Sequence, residues 1–128
     1  MARSYQDLLA NAREQVPEVQ VADLAARREA GDPPLVIDVR EQSEWDEGHI
    51  TDSLFTPYHD IHALPSGVDP SRPVAVICSS GQRAATAASL LQRYGAEQPL
   101  HVVDGGVGTW ARSGGPIESG SGAAKTAP

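Results

Sequence analysis

A single cysteine, Cys78, is present in this chain of 128 residues. A lone cysteine excludes an internal disulfide and cannot furnish the thiolate cage of a structural zinc site, which leaves packing or reactivity as its uses. Basic residues are scarce as well: 10 Lys and Arg against 17 Asp and Glu give a formal net charge of -7. With no run of lysine and arginine, the chain repels phosphate backbones and anionic headgroups, so neither nucleic acid nor a membrane is an expected partner. No apolar stretch reaches membrane-spanning length, and Met1 to Ala10 lack the basic-then-apolar order of a secretory signal. The expected location is the cytoplasm.

What is present is an alternation of strand-like and helix-like patterning along most of the chain, at a length that suits one domain with one core. One α/β layer structure is therefore expected. Ser4 and Asp7 open a first amphipathic helix carrying Tyr5, Leu8, Leu9, Ala12 and Val16, and Pro17 ends it. Glu18 to Gln20 read as a short strand, and Ala22 to Ala30 as a helix stopped by Gly31 and Pro33-Pro34. Leu35 to Asp38 form the kind of continuous apolar run that buried parallel strands show. Ser43 is placed to cap a helical turn through Trp45 and Glu47, with Gly48 as its stop. Ser53 to Thr56 read as a strand and His59 to Ala63 as a short helix. After a turn-rich segment come the run Val74 to Ile77, an alanine-rich helix closed by Gly95, a last strand over Leu100 to Val103 and a helical turn around Trp110. From Ser113 onward Gly, Ser, Ala and Pro dominate, which predicts a flexible tail over 113–128.

Cys78 stands where a strand hands over to a helix. Ser79, Ser80, Gly81, Gln82 and Arg83 follow it, and Ala84, Ala87, Ala88 and Leu91 repeat at helical spacing. The first amides of a helix have no intrahelical acceptor and lie at the positive end of the macrodipole, so a loop of small residues there can wrap N-H groups around an anion. An ordinary thiol is only about 3% ionised at neutral pH, and stabilising its anion lowers nucleophilicity along with basicity, so most of the gain in attack rate is returned. Such a loop matters more for holding charge on a bound sulfur and for making the cysteine a good leaving group.

These residues resemble a known family. Leu35 to Glu41, then Glu44-Trp45 and Gly48-His49-Ile50, are similar to the rhodanese signature; Cys78 to Ala84 match its C-x-x-G-x-R-(S/A) loop, and Val103 to Gly106 with Trp110 match its closing block. The resemblance implies a rhodanese-like fold over 18–112: α/β, with a five-stranded parallel sheet flanked by helices on both faces. It also implies that Cys78 carries sulfane sulfur as a persulfide. The chain departs from the family at Asp52-Ser53, where Gly-Ala is usual, and at Tyr58-His59-Asp60.

The expected function is thus a thiosulfate sulfurtransferase, moving sulfur from thiosulfate or a persulfide donor to a thiol or cyanide acceptor, with a protein donor or acceptor also compatible. Cys78 is the catalytic residue; Ser79, Ser80, Gly81, Gln82, Arg83 and Ala84 form the substrate-binding loop. Gly81 supplies backbone freedom, the two serines act through their hydroxyls or merely their small size, and Arg83 is an anion clamp or an exposed arginine at a helix start. Asp38 and Arg40, at the carboxyl edge of the sheet, are expected to pair and brace the loop. His49 reads as a hydrogen-bonded core or loop histidine, and Trp45 and Trp110 as core aromatics. His59 and His62 lack a third ligand nearby, so neither a metal nor any other cofactor is expected. Two other classes compete. Phosphatases and arsenate reductases of related fold use C-x5-R, whereas four residues separate Cys78 from Arg83; the shorter ring suits one sulfur atom better than a tetrahedral oxyanion. The other is a carrier or partner-docking module without autonomous activity.

Overall fold

The computed structural model describes residues 16–119. Five short strands form one sheet: β1 (Glu18–Val19), β2 (Leu35–Asp38), β4 (Leu54–Phe55), β5 (Val74–Ile77) and β6 (Pro99–Val102), in the order β1-β6-β5-β2-β4 with every pair parallel. The central strand β5 is apolar and buried at every position, and its neighbours β2 and β6 are mostly apolar, as expected for a parallel sheet covered on both faces. Alternation along β5 divides the core. Val74, Val76 and then Cys78 face α3 (Gln82–Arg93), whereas Ala75 and Ile77 face α1 (Val21–Glu29) and α4 (Val107–Arg112). Ala84, Ala87, Ala88 and Leu91 of α3 are fully buried, and the three alanines let the helix lie close on the sheet. That close approach brings the first turn of α3 onto the Cys78 side chain.

The strand over Leu35 to Asp38 and the run Val74 to Ile77 lie where expected. Other expectations need correction. The helical turn α2 (Gln42–Glu47) starts one residue earlier than its expected cap: Glu41 is the N-cap, and its amide donates to Glu44 Oε1 at 3.0 Å, leaving Ser43 inside the helix and exposed. The helix expected over His59 to Ala63 is a single 3-10 turn, Tyr58–Asp60. The N-terminal helix expected over 1–17 lies almost wholly outside the described residues, of which Val16 is buried against the α3 face.

The flexible tail expected from residue 113 is also corrected for its first residues. Beyond α4 the chain turns back, Gly115 N donating to Trp110 O (3.0 Å) and Trp110 Nε1 to Pro116 O (3.0 Å). Strand β7 (Ile117–Glu118) then pairs antiparallel with β3 (His49–Ile50) as a second, two-stranded sheet. The small residues that read as disorder serve here as close-packing ones: a Cβ at Gly115 would collide with the Trp110 indole. Residues 120–128 lie outside the described part of the chain.

At the departure from the family pattern, Asp52 adopts φ 68°, the left-handed conformation that glycine takes without cost. Among the described residues it is the sole non-glycine with positive φ.

Candidate active site

The carboxyl ends of β5 and β6, the first turn of α3 and the start of α4 converge on Cys78. Its sulfur, in a residue with no solvent exposure, accepts from Gly81 N at 3.0 Å and Ala84 N at 3.4 Å. Gly81 is the N-cap of α3 with φ 97°, and the tight loop depends on that left-handed turn. A side chain there would also crowd the Val102 and Val103 carbonyls. The Cys78 carbonyl accepts from Val107 N at 3.1 Å, and a Cβ on Gly106 would overlap it. The closing glycine motif is therefore a steric requirement of the cysteine's own peptide unit.

Ser79 and Ser80 are exposed above the buried sulfur, and Gln82 is exposed at the first helical position. Ser79 is held: its Oγ accepts from Arg83 Nη2 at 2.6 Å. Arg83 is not an open clamp. Its fork grips Glu44, Nη1 to Oε1 at 2.7 Å and Nη2 to Oε2 at 3.1 Å. These charged hydrogen bonds from Arg83, foremost, with help from the Glu41 amide and the nearby Arg40 charge, hold the Glu44 carboxyl down at about 2 against the opposing effect of burial. The same contact raises the guanidinium further above its ordinary range. Thus a carboxylate, a guanidinium and a serine hydroxyl form a chain across the mouth of the loop.

Asp38 and Arg40 pair as expected, at two points: Nε lies 2.9 and 3.0 Å from the two carboxylate oxygens, and Nη2 lies 2.8 Å from Oδ2. Both are buried, and Arg40 Nη2 also donates to Gly48 O at 2.6 Å. The pair thus fastens the end of α2, the helix that carries Glu44, and has no direct bond to the Cys78 loop. His49 is fully buried, its ring stacked on Trp45 at 3.5 Å and its Nδ1 2.9 Å from Trp45 O. It lies in the core, as expected. His59 sits 3.4 Å from Glu41 Oε1, and no group of three or more His, Cys, Asp or Glu gathers in metal-binding reach among the described residues.

Two participants escaped the reading of the sequence. Glu44 entered only as a letter of the motif, because its partner Arg83 lies 39 residues away in a different block. His101, on β6, approaches Gly81 O with Nε2 at 3.0 Å and so props the glycine whose amide holds the sulfur; nothing in its flanking residues marks it. A cleft of about 470 Å3, lined by Leu24, Arg28, Leu35, Arg72 and Trp110 among others, opens at the opposite, amino edge of the sheet. Parallel α/β sheets place their chemistry at the carboxyl edge, where Cys78 is.

Among the described residues no helix is long and apolar enough to cross a membrane. The model of the rhodanese-like domain matches residues 20–113. A sulfurtransferase of Allochromatium vinosum is 33% identical over 80% of this chain and 94% of its own. The thiosulfate sulfurtransferase GlpE of Pseudomonas putida strain GB-1 is 30% identical over 86% of this chain and 94% of its own. Among solved structures, the rhodanese-like domain of an Anabaena protein superposes with a TM-score of 0.72 at 28% identity, covering 88% of this chain and 86% of that one. A Rhodopseudomonas palustris protein described as a possible tyrosine phosphatase superposes with a TM-score of 0.70 at 25% identity, over 92% and 96% of the two chains. The five-stranded parallel sheet, the cysteine loop at its carboxyl edge and these matches together make the chain a member of the rhodanese-like domain family, with sulfurtransferases among its relatives.

Proposed function

We propose that this protein is a sulfurtransferase that carries a sulfane sulfur on Cys78, taking it from thiosulfate or a persulfide and passing it to a thiol or cyanide. The observation that supports this best is the pair of amides, Gly81 N and Ala84 N, aimed at the Cys78 sulfur from the first turn of a 12-residue helix. Fixed N-H dipoles in a water-poor site stabilise negative charge without reorganising. In the first half-reaction the Cys78 thiolate attacks the outer sulfur of the donor. The donor's S-S bond breaks, and its electron pair leaves with sulfite or with the donor thiolate. In the second half, the acceptor attacks the outer sulfur of the persulfide and Cys78 departs as thiolate, its charge again held by the two amides. No proton need be abstracted by a base, which accords with a buried histidine, His49, that has no bond to the loop.

Ring size favours one sulfur atom over an oxyanion. Two amides already close on Sγ, and the guanidinium that would hold a phosphate is engaged by Glu44. The decisive measurement is intact mass after incubation with excess donor: one added sulfur on the wild type and none on Cys78→Ser. A Cys78→Ser protein that still transfers sulfur to cyanide would remove Cys78 from the reaction, and brisk hydrolysis of aryl phosphates by the wild type would favour phosphatase chemistry instead.

A further inference from the structure

Arg83 offers its paired donors to Glu44 rather than to solvent, and the two side chains are only 25% and 32% exposed. Glu44 is also pre-positioned, its Oε1 accepting from the Glu41 amide at the start of α2. The mouth of the loop is therefore poor in available positive charge. Glu41 adds a second carboxylate near Arg83, its Oε1 3.4 Å from His59 Nδ1. The remaining arginine nearby, Arg40, is buried and matched by Asp38. At long range the whole chain, at formal net charge -7, opposes the approach of a small dianion.

Within the reading of Cys78 as a sulfur carrier, we propose that Glu44 is the donor-selecting residue. By occupying the Arg83 fork it turns the site away from small dianions such as thiosulfate and toward alkyl persulfides of low charge. A dianion can gain the paired hydrogen bonds of Arg83 only by displacing a carboxylate already seated there in the same two-point geometry, so the exchange returns little. A persulfide does not need the fork. Cys78 thiolate takes its outer sulfur, the donor S-S bond breaks, and a thiolate of single charge leaves; the charge that must be held lies on Cys78, under the amides of Gly81 and Ala84. The donors thus differ in what they ask of Arg83 and agree in what they ask of the loop.

The test compares KM and kcat for thiosulfate and for cysteine persulfide, with cyanide as the acceptor. In the wild type the thiosulfate KM should exceed that for persulfide by tenfold or more. Glu44→Gln keeps an oxygen for the Glu41 amide but removes the charge from the Arg83 fork. It should lower the thiosulfate KM by about fivefold, a free-energy difference of about 1 kcal/mol typical of the stronger half-exposed pairs, and leave the persulfide KM within about twofold. A variant whose loop is merely loosened would raise KM for both donors together. Equal KM values for the two donors in the wild type would overturn the proposal, and that arm needs no variant to fold. So would a Glu44→Gln variant that shifts both donors alike. Failure of the underlying reading has a different signature: neither donor would place a sulfur on Cys78.

Discussion

Two carboxylate–guanidinium pairs, each held at two points, lie in this molecule and serve opposite ends: Arg40 meets Asp38 side-on through Nε and Nη2, and Arg83 meets Glu44 end-on through Nη1 and Nη2. Asp38 and Arg40 are two residues apart in sequence, with side chains 1% and 8% exposed; Glu44 and Arg83 are 39 residues apart, with side chains 32% and 25% exposed. Removing one member of a buried pair leaves a charge with neither partner nor water, whereas a half-exposed pair dissolves into solvent at little cost. The difference is one of access to water. The buried pair fastens α2 to the end of β2, and the half-exposed pair presents a guanidinium that can change partners.

The sharpest way to break the comparison is Arg40→Ala. It should cost about 3–5 kcal/mol of unfolding free energy, read from urea midpoints, and if it costs under 1 the buried pair is no scaffold. A stop after Ser113 acts on the same region more gently. Gly48, whose carbonyl accepts from Arg40, lies beneath β7, where a Cβ on it would sit 3.3 Å from Ile117 Cγ2. Losing the β3–β7 pairing and the Trp110 Nε1 bond to Pro116 should cost about 1–3 kcal/mol, seen as a lower melting temperature. No change on truncation would mean that β7 only rests on the fold. Arg83→Ala should move stability by less than about 1 kcal/mol while slowing sulfur loading from thiosulfate; a fall as large as that of Arg40→Ala would erase the distinction between the pairs. The smallest effect is in pH. Because the Glu44 carboxyl is held at about 2 in the folded chain, below its ordinary 4.5, its contribution is fully present above about 4.5 and fades as pH falls toward 2. Carbon-detected titration of the Glu44 carboxyl should find a midpoint near that low value, and an ordinary midpoint would show the pair to be open in solution.

Legibility in the sequence followed the range of the interaction. Leu35 to Ile37 and Val74 to Ile77 are plain because a strand covered on both faces reads as a continuous apolar run. The Cys78 loop was plain because the glycine turn, the helix start and the cysteine are contiguous. Contacts between distant segments were not. The Glu44–Arg83 pair joins α2 to α3, His101 reaches Gly81 across the sheet, and no local pattern encodes either. Ser43 reads as the cap of α2 because Ser is a usual side-chain acceptor at that position, while here Glu41 and Glu44 perform the task through longer side chains. The ordered start of the tail is hidden by composition: Gly114 and Gly115 have no side chain to bury, yet Gly115 N donates to Trp110 O, and Pro116 O accepts from Thr51 N and from the Trp110 indole.

The register of β1 has a consequence for how the chain comes off the ribosome. Glu18 lies opposite His101, so this edge strand meets its partner only after about 80 further residues have been made. At elongation rates of about 5–20 residues per second that wait is roughly 4–16 s. Through it β1 has no neighbour to pair with, while β2, β4 and β5 can already assemble on one another. Completion of the sheet, and with it the closing of the loop around Cys78 by Gly106 and Val107, thus waits for β6, the last of its five strands to be made.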